Sequence, residues 1–330
     1  MKTLIPLLFL SVATLPFAWF SANPPETEQV PVETVYHGEK IVDEYLWLED
    51  QTQPEVQQWI ATQNQHSQSY LNDLPDFAAI SQRLGEVYES YGTALTSPVF
   101  RGGKLFAMNS SSENLVCLKS IDDSSEPEVI VDANEIPAEK LVNIDWFEAS
   151  PDGRYVAVSI SVDGTDRGDV HIYDLNDGIK KVEVLAQVSA ETAGGDLAWT
   201  PDSSGFYYTR YPHPGERSAE DMFCYVQVWH HRLGSPPESD RYEFGRDLPR
   251  IAIISLESHD ASGQMLITVQ EGDGGRAAHF LRTSDGKHRR FSTFEDDILQ
   301  AEFAADDSLF LLTIQDAPLG RILRMSAKTL

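Results

Sequence analysis

The chain has 330 residues and carries 25 Lys+Arg against 52 Asp+Glu, a formal net charge of −27. That balance excludes a nucleic-acid binder, which must displace phosphate counterions with positive charge, and it excludes docking on anionic lipid. A composition of 41% hydrophobic and 23% charged residues is that of a folded globular chain, and two cysteines, Cys117 and Cys224, cannot build a disulfide-dense scaffold.

Lys2 is followed by a mostly apolar run from Leu4 to Ala13, the pattern of a secretory signal, which predicts an exported protein, periplasmic or extracellular. The run through Phe20 contains Pro6 and Pro16 and is short for a span of about 20 residues. Ala22 and Ala18 are the two candidate ends of this signal, residues 1–22. Residues 23–34 read as a polar, Pro-containing linker, and 35–92 as a helical segment. Within it, Pro54 suits a first helical position and Glu55 a first turn, predicting a helix over 54–73. Asp76 can cap a second helix, in which Phe77, Ile80, Leu84, Val87 and Tyr91 step along one stripe and Gly92 can end it. Both helices carry an apolar face that needs a partner.

From residue 93 the pattern changes to short strands. Tight turns recur around Gly102, Asp152, Asp202, Asp260 and Asp306, at steps of 50, 50, 58 and 46 residues. Apolar lead-ins recur with them, such as Asp145-Trp146-Phe147 and Leu197-Ala198-Trp199. A period near 50 with about four strands per unit predicts an all-β architecture of β-propeller blades over 93–330; an irregular β-sandwich is the alternative. Val156, Val158 and Ile160 are expected on one face of their strand, with Tyr155, Ala157 and Ser159 on the other.

Three passages resemble the prolyl oligopeptidase family of serine peptidases. They are Asp43-Glu44-Tyr45-Leu46-Trp47-Leu48-Glu49-Asp50, with Glu44 where the family usually has Pro; Ala198-Trp199-Thr200-Pro201-Asp202 running on through Gly205 to Pro212; and His231-Arg232-Leu233-Gly234 followed by Asp240. The resemblance covers residues 35–330 and implies about five blades of a seven-bladed pattern, preceded by two N-terminal α-helices. In that family the propeller covers a serine-hydrolase cleft and admits only short peptides, so oligopeptides are the implied ligands. Aligned on the family, Ile172 falls where an apolar propeller side chain can reach substrate; blade packing is the alternative.

The family's chemistry needs a serine on a Gly-x-Ser-x-Gly elbow, followed by Asp and His. No serine of the chain has Gly at both −2 and +2. Ser218, after Gly215-Glu216-Arg217, comes nearest, in a Pro-rich charged loop. The expectation is therefore a region without catalytic residues, short of two blades and the α/β-hydrolase domain and inactive alone; a separate polypeptide supplying that domain is a further reading. A self-standing peptide- or protein-binding module is the other reading. No cofactor is implied. The histidines show no zinc spacing, and Asp163, Asp166 and Asp169 around Gly164 and Gly168 lack EF-hand order, so a solvated hairpin is expected there. Gly272-Asp273-Gly274-Gly275 reads as a turn rather than a phosphate loop. His230 and His231 read as ordinary strand residues, and Cys117 and Cys224 either pair or remain two buried thiols.

Overall fold

The computed structural model describes residues 23–90, 95–109, 114–118, 127–136 and 141–328, with only the backbone over 114–118. Residues 1–22, where a signal is expected, Tyr91 and Gly92 at the expected end of the second helix, and the Cys117 side chain lie outside the described residues. The chain divides into two compact units, Met1–Gly92 and Thr93–Leu330.

The first unit is not linker followed by helix. Strands β1 (Val32–Tyr36) and β2 (Glu39–Asp43) form an antiparallel hairpin. Residues 25–30, read as linker, are tied down: Trp47 Nε1 donates to the Glu28 carbonyl and Trp59 Nε1 to Thr27 Oγ1, each at 3.0 Å. Gln63 Nε2 reaches the Pro25 carbonyl at 3.0 Å, and Val30 N the Glu44 carbonyl at 2.8 Å. Helix α1 (Pro54–Asn72) starts at the predicted proline, and Asp50 holds the turn before it by accepting from Thr52 N at 3.0 Å. Helix α2 is Phe77–Ser90. Its stripe is bare, with Ile80, Leu84 and Tyr88 all more than half exposed.

The second unit contains five antiparallel sheets among the described residues, each built from strands consecutive in the chain. The first holds β3 (Leu95–Arg101), β4 (Lys104–Asn109), β5 (Asn114–Leu118) and β6 (Glu128–Asp132). The second holds β7 (Val142–Ala149), β8 (Tyr155–Val162), β9 (Asp169–Asp174) and β10 (Lys180–Leu185). The third holds β11 (Leu197–Trp199), β12 (Gly205–Arg210), β13 (Gln227–Arg232) and β14 (Arg241–Phe244). The fourth holds β15 (Ala252–His259), β16 (Gln264–Glu271), β17 (Ala277–Arg282) and β18 (His288–Ser292). The fifth holds β19 (Ile298–Phe303), β20 (Ser308–Thr313) and β21 (Arg321–Ser326). The recurring Asp/Gly turns are the hairpins joining the first two strands of each sheet.

Four apolar cores lie between successive sheets. Phe106, Ile130 and Val131 of the first sheet pack on Phe147, Val156, Val158 and Ile160 of the second. From the opposite face of the second sheet, Ala157, Val170 and Ile172 meet Leu197, Trp199 and Phe206 of the third. Val228 of the third packs with Ile254, Ile267 and Val269 of the fourth, and Leu266 and Leu281 of the fourth with Leu309 and Leu311 of the fifth. The period-two alternation of β8 therefore feeds two different cores, as side chains pointing alternately from a pleat must.

The turns of neighbouring sheets also abut. A Cβ on Gly102 (φ +54°) would lie 2.0 Å from the Asp152 carbonyl oxygen, and one on Gly153 (φ +66°) 2.7 Å from that of Arg101. Only glycine permits both the left-handed backbone and this approach. Lys104 Nζ donates to the Gly153 carbonyl at 2.7 Å, and Asp152 N to Ser203 Oγ at 3.3 Å, joining the turns of the first three sheets in a row.

Candidate functional site

The first strands of consecutive sheets converge on an acid-lined cavity of about 140 Å³. Arg101 comes from the first sheet, Glu148 from the second, Trp199 from the third, and Glu257 and Ser258 from the fourth. Bonds between sheets hold it. Trp199 Nε1 donates to the Glu148 carbonyl at 3.0 Å, and Ser258 Oγ to the Trp199 carbonyl at 2.7 Å. Asp196, preceding β11, accepts from Leu256 N of the fourth sheet at 2.8 Å, and Glu257 accepts from Phe303 N of the fifth at 3.2 Å.

Burial shifts these carboxyls. Desolvation, with the nearby Asp196 charge, pushes Glu148 up to about 8 against the opposing pull of Arg101. Desolvation raises Glu257 to about 7 and Asp196 to about 6, in each case opposed by the backbone N–H groups they accept from. Glu148 and Glu257, which line the cavity, therefore titrate near neutrality. Its one serine, Ser258, spends its hydroxyl proton on a backbone carbonyl.

A second buried polar group joins the second and third sheets. His231, 1% exposed, has Nδ1 2.7 Å from Asp240 Oδ1 and Nε2 3.1 Å from Glu183 Oε2 on β10. The Tyr208 hydroxyl donates to Asp240 at 2.7 Å, and Gly234 N donates to Glu183. Desolvation alone would lower the His231 pKa, but the bonds to Asp240 and Glu183 prevail and raise it to about 9. His231 is thus an imidazolium clamped between two carboxylates, not the ordinary strand residue the sequence suggests. His230, on the other face, lies against Tyr207 with ring centroids 4.9 Å apart and the ring planes tilted by 55°.

Among the described residues two serine–histidine contacts occur that the sequence did not flag, and neither has triad geometry. His259 Nδ1 lies 2.8 Å from Ser262 Oγ, and the same nitrogen lies 3.3 Å from Asp307 Oδ1. A triad needs serine and aspartate on opposite ring nitrogens. His279 Nδ1 lies 2.7 Å from Ser292 Oγ, but both side chains are buried, and burial lowers the histidine to about 4. Ser218 bonds to Asp221 Oδ2 at 3.4 Å in an exposed loop.

Ile172 is fully buried in the core between the second and third sheets. Its side chain has no surface with which to touch a peptide, so in this structure it is blade packing; the expectation of a substrate contact does not fit it. Among the described residues Asp163, Asp166 and Asp169 do not come together as a metal cage. Asp163, Gly164 and Asp166 take left-handed backbone in the β8–β9 connection, and Asp169 accepts from Gln187 N at 3.1 Å. Gly272–Gly274 is a single short turn between β16 and β17. Cys224 is a free, buried thiol.

Sheets of consecutive antiparallel strands, packed face to face with their first strands converging, are the arrangement of a β-propeller. The family model for the prolyl oligopeptidase N-terminal beta-propeller domain matches residues 24–330, and the chain belongs to that family. It is 25% identical over 328 residues to the prolyl endopeptidase of Elizabethkingia meningoseptica, covering 96% of this chain and 45% of that protein. It is 26% identical over 256 residues to the dual function macrocyclase-peptidase of Galerina marginata, covering 67% and 33%. A solved prolyl endopeptidase superposes with a TM-score of 0.74 at 24% identity, over 92% of this chain and 44% of that one. Oligopeptidase B from Leishmania major gives 0.68 at 15% identity, over 93% and 45%. The chain thus spans less than half the length of these relatives.

Proposed function

We propose that this chain is the propeller part of a prolyl oligopeptidase-type serine peptidase, which restricts a hydrolase site carried elsewhere to oligopeptides and performs no hydrolysis by itself. The observation that carries this reading is the family match over residues 24–330. The acid-lined cavity, where first strands meet, is the element of this chain that an entering peptide would meet. Bare apolar surface supports a hydrolase partner, whether on a longer form of the protein or on a separate chain. It includes the α2 stripe at Ile80 and Leu84, and Phe310 and Ile322 on the fifth sheet. The bare fifth sheet also disfavours a closed five-bladed ring and hence a self-standing module. From the Lys2 and Leu4–Ala13 pattern we propose that the protein is exported.

The test is a chimera in which residues 24–330 replace the propeller part of the Elizabethkingia meningoseptica enzyme. Cleavage of a chromogenic proline peptide, with refusal of a long unfolded protein, is expected, whereas the 330-residue chain alone gives no turnover. Equal cleavage of short and long substrates by the chimera, or turnover by the chain alone after removal of contaminating proteases, overturns the reading.

A further inference from the structure

The loop between β12 and β13 of the third sheet encloses a second polar cavity, of about 210 Å³, well apart in composition from the acid-lined one. Arg210, Glu216, Arg217, Tyr225, Gln227 and Trp229 line it. The guanidinium carbon of Arg210 lies over the Trp229 ring, 3.9 Å from its centroid, and that of Arg217 over Tyr225 at 3.7 Å. Both guanidinium groups are therefore positioned by aromatic faces, Arg210 with a carboxylate partner as well and Arg217 by its ring alone.

The donors here are only partly used. Arg210, 12% exposed, gives one terminal nitrogen, Nη2, to both oxygens of Glu216, at 2.9 and 2.8 Å. Its Nη1 lies 3.4 Å from His213 Nδ1. Its Nε is buried with no partner, and so are Trp229 Nε1 and His213 Nε2. Buried N–H groups are nearly always paired, and two of these three orphans, on Arg210 and Trp229, belong to side chains that line the cavity, which suits a ligand that accepts. Arg217 has no ion pair among the described residues, while every other arginine flanking this loop does: Arg210 with Glu216, and Arg250 with Asp221.

The charge sum narrows the ligand. Burial, and then the Arg210 charge, lower His213 and favour its neutral form. Partial burial would raise Glu216, but the His213 N–H and Arg210 prevail and hold it below the usual carboxylate range. Two guanidinium charges against one carboxylate leave one positive charge. A monovalent, planar acceptor neutralises it, and Glu216 already shows how a carboxylate sits on Arg210. The aromatic walls suit the apolar stem that carries such a group.

We propose that this cavity is a carboxylate-binding subsite on the third sheet, taking the carboxylate of a peptide, either its C-terminus or an acidic side chain. The subsite stands on its own geometry; only the choice of a peptide as carrier rests on the gating function proposed above.

Nitrogen-15 spectra of the chain report it directly, because the Trp229 indole N–H is one of six and is assigned by its loss in Trp229→Phe. Three N-acetyl tetrapeptides are titrated: one with a free C-terminus, one C-terminally amidated with a glutamate, and one amidated with glutamine in its place. The first, the second or both should shift the Trp229 signal, and which does so identifies the source of the carboxylate; the glutamine peptide should not. Arg217→Ala, at an exposed position, should weaken binding about tenfold, the worth of a charge-assisted bond. Glu216→Gln, which removes the competing internal carboxylate, should strengthen it several-fold. A shift by the glutamine peptide, an unchanged affinity in Arg217→Ala, or inorganic phosphate binding as tightly as the carboxylates would overturn the subsite. Propionate shifting the signal while no peptide does would overturn the peptide as ligand and leave peptide gating to be judged by the chimera.

Discussion

The third and fifth sheets both carry apolar side chains on their two faces and end in different situations. The third is covered on both faces: Trp199 and Phe206 pack towards the second sheet, and Ala198 and Val228 towards the fourth. The fifth is covered on one. Leu309 and Leu311 of β20 face the fourth sheet and are buried, whereas Phe310 and Leu312, which alternate with them, are 44% and 36% exposed, and Ile322 opposite Leu312 is 73% exposed. A strand apolar on both faces is written for burial on both sides. What differs between the two sheets is thus the neighbour and not the strand. The first sheet shows the same on its own outer side at Phe100 and Val129, 54% and 44% exposed.

This contrast ranks the expected effects of mutation. The largest is at the His231 clamp, where Asp240→Ala leaves a buried imidazolium short of a partner and should cost about 3–5 kcal/mol in the urea transition of the second unit. A loss below about 1 kcal/mol would show that the clamp is dispensable. Ile172→Ala opens a void between two covered faces and should cost about 2–5 kcal/mol. Ile322→Ala removes the same kind of side chain from an uncovered face and should stay within about 0.5 kcal/mol. Equal losses from the two substitutions would erase the distinction between covered and uncovered sheets.

A third effect is pH dependence. Glu148, Glu257 and Asp196 have folded-state values of about 8, 7 and 6, above the values near 4 of an unfolded chain. A carboxyl raised on folding keeps its proton where the unfolded chain has lost it. Its stabilisation is complete below the unfolded value and disappears as the pH rises through the folded one. His231, raised to about 9, acts in the same direction at higher pH, its stabilisation being lost as the pH rises through that value. The urea midpoint of the second unit should therefore fall steadily between about pH 5 and 9, and Glu148→Gln with Glu257→Gln should flatten the lower part of that slope. A midpoint that rises over this range would contradict the buried, protonated cavity.

How much of this was legible in the residues follows from the range of each interaction. The Asp/Gly turns were readable because Gly102 and Gly153 must take left-handed backbone, a local demand with few solutions. The alternation of β8 was readable because Val156, Val158 and Ile160 feed one core. The hairpin Val32–Asp43 was not, because Val35, Ile41 and Val42 are 61%, 49% and 59% exposed and mark no buried face. Nor was the clamp, since Glu183 lies 48 residues before His231 and no spacing rule connects them. The family motif around His231 flagged the position without its reason, and alignment on the family put Ile172 within reach of substrate, where packing leaves it no surface. The Arg210 and Arg217 stacks were hidden likewise, in a loop that composition alone marks as solvated.

The smallest expected change in stability tests the uncovered face itself. Phe310→Glu with Ile322→Glu places two charges where Phe310, Leu312 and Ile322 now form a shallow apolar surface beside Gln300 and Glu302. These side chains lose little by ionising into water, so the unfolding midpoint should move by no more than about 0.5 kcal/mol per site. Association should respond more strongly. An exposed apolar face next to an open strand edge recruits other chains, but a chain of net charge −27 repels its copies. At 0.01 M ionic strength that repulsion reaches about 30 Å, and at 1 M about 3 Å. Light scattering of the unmutated chain should therefore show self-association that grows with salt, and the double glutamate variant should stay monodisperse throughout. Association that weakens with salt would mean that charge pairing, not the bare fifth sheet, brings copies together.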